Sequence, residues 1–184
     1  MKKLIFSAIL IFALCASALF AQQNPNPAGV ITLHYAARDF AAGPIPAADL
    51  NLILQAGVRA PSAANRQPWH FTVVQNVDLA KKIISNVVQG NALIVISTTG
   101  DAKREIIDCA LAAQSIYLAA QALGYGSRIY TGPIDNLNRD LKGQLGLPAG
   151  HNAVILVRVG KVEKVDAVSG ASSRKAADSI ITYK

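Results

Sequence analysis

Ser62, Asn65, Arg66 and Gln67 fall within six residues of the stretch Ala60–Phe71 (APSAANRQPWHF), between two apolar segments. A hydroxyl, two carboxamides and a guanidinium supply donors and acceptors at close spacing. Such a loop could bracket a flat heteroaromatic ligand with hydrogen bonds, or it could simply cap itself between helix and strand. Other chemistries find less to work with. No G-x-S-x-G occurs, and Gly170-Ala171-Ser172-Ser173-Arg174 departs from it at the last position. His34, His70 and His151 are far apart in sequence and show no H-x-x-x-H spacing, so no metal site is expected. Gly124-Tyr125-Gly126 opens like a dinucleotide fingerprint, but Ile129 stands at the third glycine position and a helix, not a strand, precedes it.

The elements that must carry this loop can be read from apolar spacing. A short helix is expected over Ile31–Phe40. A second should run over Ala47–Arg59 with Pro46 as its first residue and Leu50, Ile53, Leu54 and Gly57 on one face. Trp69–Gln75 reads as a strand, and Asp78 could cap a helix over Leu79–Val88. The unbroken apolar runs Ala92–Ser97 and Ala153–Val159 suit strands covered on both faces. Lys103–Leu123 should be a long helix, apolar nearly all round and therefore buried in the core or against a subunit interface. Asp108, Gln114 and Gln121 argue against its crossing a membrane. Ser127–Thr131 completes the strands, Asp135–Leu145 is a further helix, and Ile180–Tyr183 is strand-like. Helices alternating with four or five strands give the α+β class, with a central mixed sheet flanked by helices.

At this point the loop can be compared with known patterns. Pro61-Ser62-Ala63-Ala64-Asn65-Arg66-Gln67-Pro68-Trp69 resembles the P-S-x-x-N-x-Q-P-W loop of the nitroreductase family of FMN-dependent oxidoreductases. Arg38-Asp39-Phe40 is similar to the end of that family's R-x-S-x-R/K-x-F element. Asp108–Gly126 is similar to its long central helix, and Leu145–Gly150 followed by Ala153–Gly160 to its L-G-L-P-x-G and V-G stretch. The resemblance implies a homodimer with two FMN sites at its interface. It implies that Arg38 holds the flavin phosphate or ribityl chain, with His34 where the family has arginine. It places Pro61, Ser62, Asn65 and Gln67 along the ring from the partner subunit, and Tyr130, Thr131 and Gly132 with backbone N–H groups near flavin N5. Arg174, with Lys175, would be the C-terminal cation on the phosphate. Glycine at 132 would let the backbone approach the ring. Hydride would pass from NAD(P)H or another donor through FMN to a nitroaromatic, a quinone or a similar acceptor, with no side chain in a catalytic role.

His34 and Ala36 replace the family's arginine and its serine or threonine, which weakens anion contacts; FMN binding weaker than is usual for the family follows. The alternative reading is a non-enzymatic flavin-binding or structural dimer that kept the fold while losing phosphate contacts.

The chain has 184 residues, 52% hydrophobic and 16% charged, with a formal net charge of +7, which excludes a disordered protein. Its positive charges are interspersed with acids, so nucleic-acid binding is not expected. Met1-Lys2-Lys3, the apolar run Leu4–Phe20, and small residues permitting cleavage after Ala18 or Ala21 have the layout of a Sec-type signal peptide over residues 1–21. Residues 22–29 would be a linker and 30–184 the domain. Export to the periplasm or medium is expected, with membrane anchoring if the segment stays uncleaved. Cleavage would leave Cys109 as the single cysteine, so no internal disulfide could form. Outside the cytoplasm pyridine nucleotides are not expected, so an exported enzyme would need another electron donor.

Overall fold

The buried face of the longest helix and two fully apolar strands organise the molecule. In the computed structural model, which describes residues 27–100, 103–163 and 173–184, the elements run in chain order as follows. Helix α1 is Pro27–Leu33, α2 Ala47–Val58, strand β1 His70–Val74 and α3 Val77–Ile83. Then come β2 Ala92–Thr98, α4 Lys103–Ala122 and β3 Gly126–Tyr130. A short α5, Ile134–Asn136, runs into a π turn over Leu137–Leu141, and β4 spans Asn152–Gly160. The expected signal peptide lies outside the described residues.

The sheet has the order β1-β2-β4-β3. Every pairing in it is antiparallel, which corrects the expected mixed sheet while keeping the α+β class. Strand β2 is buried at all seven positions because both sheet faces are covered. Ile94 and Ile96 face α2 and α4, packing with Ile53, Ile116 and Ala113. Leu93 and Val95 face the opposite way, toward Val87, Leu137 and Leu141. Each such isoleucine or leucine contributes about 1.5–3 kcal/mol by leaving water. Helices α2 and α4 approach closely because residue 57 is glycine: a Cβ there would lie 2.7 Å from the Ile116 side chain.

Several boundaries move for local reasons. Helix α1 begins at Pro27, inside the expected linker, and ends at Leu33, so Arg38 lies in the irregular segment beyond it. Asn76 rather than Asp78 caps α3, its Oδ1 accepting from the Leu79 N–H at 2.9 Å. The expected helix over Asp135–Leu145 is one α turn followed by a π turn. Ile180–Tyr183 joins no strand; a 3₁₀ turn over Ala177–Ser179 precedes it. Helix α4 is buried along Cys109, Ala112, Ala113, Ile116, Tyr117 and Ala120, but Ile106, Ile107 and Leu111 are exposed, so it is not covered on every side.

Candidate functional site

Residues 62–67 enclose a 3₁₀ turn, Ala63–Asn65, with an unusual backbone. Ala64, Asn65 and Gln67 have φ of 52°, 53° and 48°, the left-handed region that residues with a Cβ enter at a cost of about 1–2 kcal/mol each. The turn is held by its own atoms and by α4. Ser62 Oγ accepts from the Gln67 N–H at 3.0 Å, and Gln67 Nε2 donates to Asn65 O and Oδ1 at 3.3 and 3.2 Å. The Asn65 N–H donates to Ser62 O at 3.0 Å. From α4, the buried Asp108 accepts from the Ala63 N–H at 3.1 Å. These bonds leave the Ser62 hydroxyl proton, the Asn65 Nδ2 donors and the Gln67 Oε1 acceptor without a partner among the described residues. That donor and acceptor set suits the edge of a heteroaromatic ring. Pro61 is exposed beside it, and Trp69 stacks on Phe71 at 6.3 Å and 19°.

A second group gathers on the other flank of α4. Tyr117 is buried, and the His34 ring meets it edge-on at 5.5 Å. The His34 Nδ1–H donates to Ile31 O at 2.5 Å. Burial raises the Tyr117 pKa, while a hydrogen bond to Gln121 and the nearby positive charge of Arg174 act the other way. His34 and Arg174 therefore share one neighbourhood. Gln121 fixes the strand-like segment leading to Arg38: its Oε1 accepts from the Tyr35 N–H at 3.2 Å and its Nε2 donates to Tyr35 O at 2.8 Å. Nε2 also donates to Ser127 Oγ at 3.0 Å, which in turn donates to Tyr117 O at 2.7 Å. The Ala37 N–H reaches Ser127 O at 3.0 Å. Arg38 and Lys175 are exposed.

Asp108 and Tyr117 are nine residues apart on α4, about 14 Å along its axis and about 180° around it. The loop and the His34–Arg174 neighbourhood thus lie on opposite flanks of the helix, with exposed Ile107 and Leu111 between them. Within one chain the two groups are not brought together. Tyr130 ends β3 and Thr131 and Gly132 follow it; Thr131 O accepts from the Ile134 N–H at 3.1 Å, and Gly132 is exposed. A Cβ at Gly132 would meet nothing within 4 Å, so this chain's own packing does not demand glycine there.

Asp108, Tyr117 and Gln121 were not among the site residues read from sequence. Their signal was present: polar groups in an otherwise apolar buried helix need partners, and here the partners are the loop and the N-terminal segment. The structure brings together two of the histidines that lie far apart in sequence. His70 and His151 meet at 5.8 Å, and Ser97 Oγ lies 3.2 Å from His151 Nδ1. Among the described residues no group of three metal-ligating side chains occurs. A cavity of about 170 Å³, lined by Val73, Gln75, Leu79 and Gln144 among others, opens beside β1 and touches none of the candidate residues.

Comparison with known proteins places this arrangement. The family model described as the nitroreductase family matches residues 31–92 and 85–161, which take in the loop, α4 and all four strands. The chain belongs to the nitroreductase family. Among its relatives in that family is a protein of Archaeoglobus fulgidus carrying the name NADH dehydrogenase/NAD(P)H nitroreductase, 36% identical over 113 residues, covering 54% of this chain and 64% of that one. A Methanothermobacter thermautotrophicus protein of the same name is 32% identical over 116 residues, covering 56% of this chain and 60% of its own. The chain therefore spans under two thirds of the length of these curated relatives. The crystal structure of a nitroreductase with bound FMN from Desulfitobacterium hafniense superposes with a TM-score of 0.73 at 22% identity, covering 86% of this chain and 97% of that one, a likeness of fold.

Proposed function

We propose that this nitroreductase-family chain is an FMN-dependent oxidoreductase working as a homodimer. The observation that carries the reading is the left-handed Ser62–Gln67 turn pinned to Asp108: its backbone holds a costly conformation, and its side chains keep unspent donors and an acceptor. Strain of this kind is retained where a ligand needs it. The bound FMN of the D. hafniense structure supports the choice of ligand. When bound, FMN would supply hydride acceptance and donation between NAD(P)H, or another donor, and a nitroaromatic, quinone or similar acceptor.

In this reading Ser62, Asn65 and Gln67, beside Pro61, orient the ring edge. The N–H groups at Thr131 and Gly132, next to Tyr130, border it. Arg38 and Arg174, with Lys175, hold the phosphate by charge-assisted hydrogen bonds. Since the loop and the His34–Arg174 neighbourhood occupy opposite flanks of α4, one cofactor would take its ring contacts from one subunit and its phosphate contacts from the other. The exposed Ile107 and Leu111 between the flanks would be the surface that a second copy covers. No nucleic acid is invoked. The signal-peptide layout of residues 1–21 supports the further proposal of an exported protein, periplasmic or secreted, with membrane attachment if that segment is retained.

One observation favours a second reading, a flavin-binding or structural dimer without turnover. His34 spends Nδ1 on Ile31 O and lays its ring on Tyr117, so it contributes less to an anion than an arginine would. Reduction of FMN-loaded protein by NADH, NADPH or dithionite, followed by reoxidation with a quinone, separates the two. Ser62→Ala and Asn65→Ala should each lower flavin retention about tenfold with folding unchanged, by loss of one hydrogen bond. Wild-type behaviour in both variants would remove the ring from this loop.

A further inference from the structure

On the sheet face away from Tyr117, Arg128 of β3 and Arg158 of β4 stand directly opposite one another in the ladder. Arg158 also pairs with Leu93 of β2, in the midst of an apolar surface. It is only 1% exposed. Its partners are all neutral. Nε donates to Asn91 Oδ1 at 2.9 Å, Nη1 to Asn86 Oδ1 at 2.8 Å and Nη2 to Asn86 O at 3.0 Å. The guanidinium carbon lies 4.0 Å from the centre of the Phe40 ring. Residue 160, two positions along β4 on the same face, is glycine, and a Cβ there would approach the Phe40 ring to 3.1 Å.

Arg128 is half-buried, its guanidinium 5.0 Å from the centre of the Tyr130 ring. Among the described residues no carboxylate lies within ion-pair distance of either arginine; the ion pair found there is Arg139–Asp140. Like charges directly opposite in a ladder destabilise it, and a buried guanidinium without a counter-charge costs more still. Nε, Nη1 and Nη2 of Arg158 each donate to an asparagine, whereas the N–H groups of Arg128 meet no acceptor among the described residues.

We propose that Arg128, backed by the charge of Arg158 and by the Tyr130 ring, is the binding site of an oxyanion, either a phosphate or a carboxylate group. The planar fork of Arg128 matches both anions with two parallel hydrogen bonds. Arg158 acts through its field, not through contact. The site is separate from Arg174, whose charge acts on Tyr117 on the other face of the sheet.

Thermal unfolding of the wild-type protein, Arg128→Gln and Arg38→Gln is followed with added inorganic phosphate, acetate or sodium chloride at matched ionic strength. Wild type should gain about 4 °C at tenfold over half-saturation, beyond the chloride control. The gain should persist in Arg38→Gln and vanish in Arg128→Gln. In chloride alone Arg128→Gln should melt no lower than wild type, because a like-charge pair is lost. Whether phosphate or acetate gives the larger gain identifies the group. A gain that survives in Arg128→Gln or disappears in Arg38→Gln places the anion elsewhere, and no gain with either anion overturns the site. Should Arg128→Gln not fold, Arg128→Lys keeps the charge without the fork. It should raise the half-saturating concentration several-fold; an unchanged value would contradict the proposal.

Discussion

At the scale of single residues, burial and backbone geometry set what each group can do. Cys109 is fully buried beside Asp108 and Glu105, and burial followed by those negative charges pushes its thiol up to about 11. The thiol therefore stays protonated and unreactive. A disulfide reagent at pH 8 should leave it untouched in the chain from Gln22 onward and titrate one thiol after denaturation; rapid reaction in the native protein would contradict its burial. The sign of the pH dependence follows. An unfolded thiol loses its proton near 9.0 while the folded one keeps it to about 11, so the unfolded state binds fewer protons in between and stability falls as pH rises through that window. Burial and the Asp49 carboxylate raise Tyr125 to about 12, extending the decline upward. Cys109→Ala should flatten the lower part of an alkaline unfolding curve. In the loop, Ala64→Gly should relieve the left-handed strain at φ 52° and raise stability by up to about 1 kcal/mol without loss of flavin, because Ala64 offers no polar atom. Asp108→Ala should do the reverse, freeing the Ala63 N–H and loosening the turn.

At the scale of elements, α4 is the support from which both halves of the site hang. Gln121 is the clearest test, since it satisfies both backbone groups of Tyr35 and tethers Ser127. Gln121→Ala should cost about 1–3 kcal/mol, the penalty for part-buried polar groups left unpaired. It should also weaken flavin retention by releasing the segment that carries Arg38; denaturant midpoints and flavin titration read the two effects. Much of this frame was legible in the sequence. The apolar runs Ala92–Ser97 and Ala153–Val159 announced the strands that span Ala92–Thr98 and Asn152–Gly160, and the long helix was placed to within a residue by its apolar composition. What was not legible depended on tertiary partners. Strand direction is decided by which neighbours pair, and no local signal distinguishes a mixed from an antiparallel sheet here. The left-handed φ values at Ala64 and Gln67 go against residue preference and exist because Asp108 and the loop's own bonds enforce them. The meeting of His70 with His151, and of Arg128 with Arg158, is a product of strand register.

At the scale of the whole molecule, an apolar surface remains uncovered. Ile107 and Leu111 of α4 are 54% and 40% exposed, and Leu52 and Val58 of α2 are 53% and 41% exposed, more than a free chain comfortably offers to water. If a second copy covers Ile107, then Ile107→Glu should shift the protein to monomer in sedimentation and release flavin together with the partner. A monomeric wild type that still held FMN would contradict the two-subunit site. The most direct measurement is the visible spectrum of the purified chain from Gln22 to Lys184 after incubation with FMN and desalting. The account predicts a retained, shifted band at about 450 nm, where oxidised flavin absorbs by its own electronics. That band should be diminished by Ser62→Ala and Asn65→Ala. A folded protein that leaves the column colourless would mean that the left-handed loop and its cations no longer serve the cofactor, and the oxidoreductase reading would fall with it.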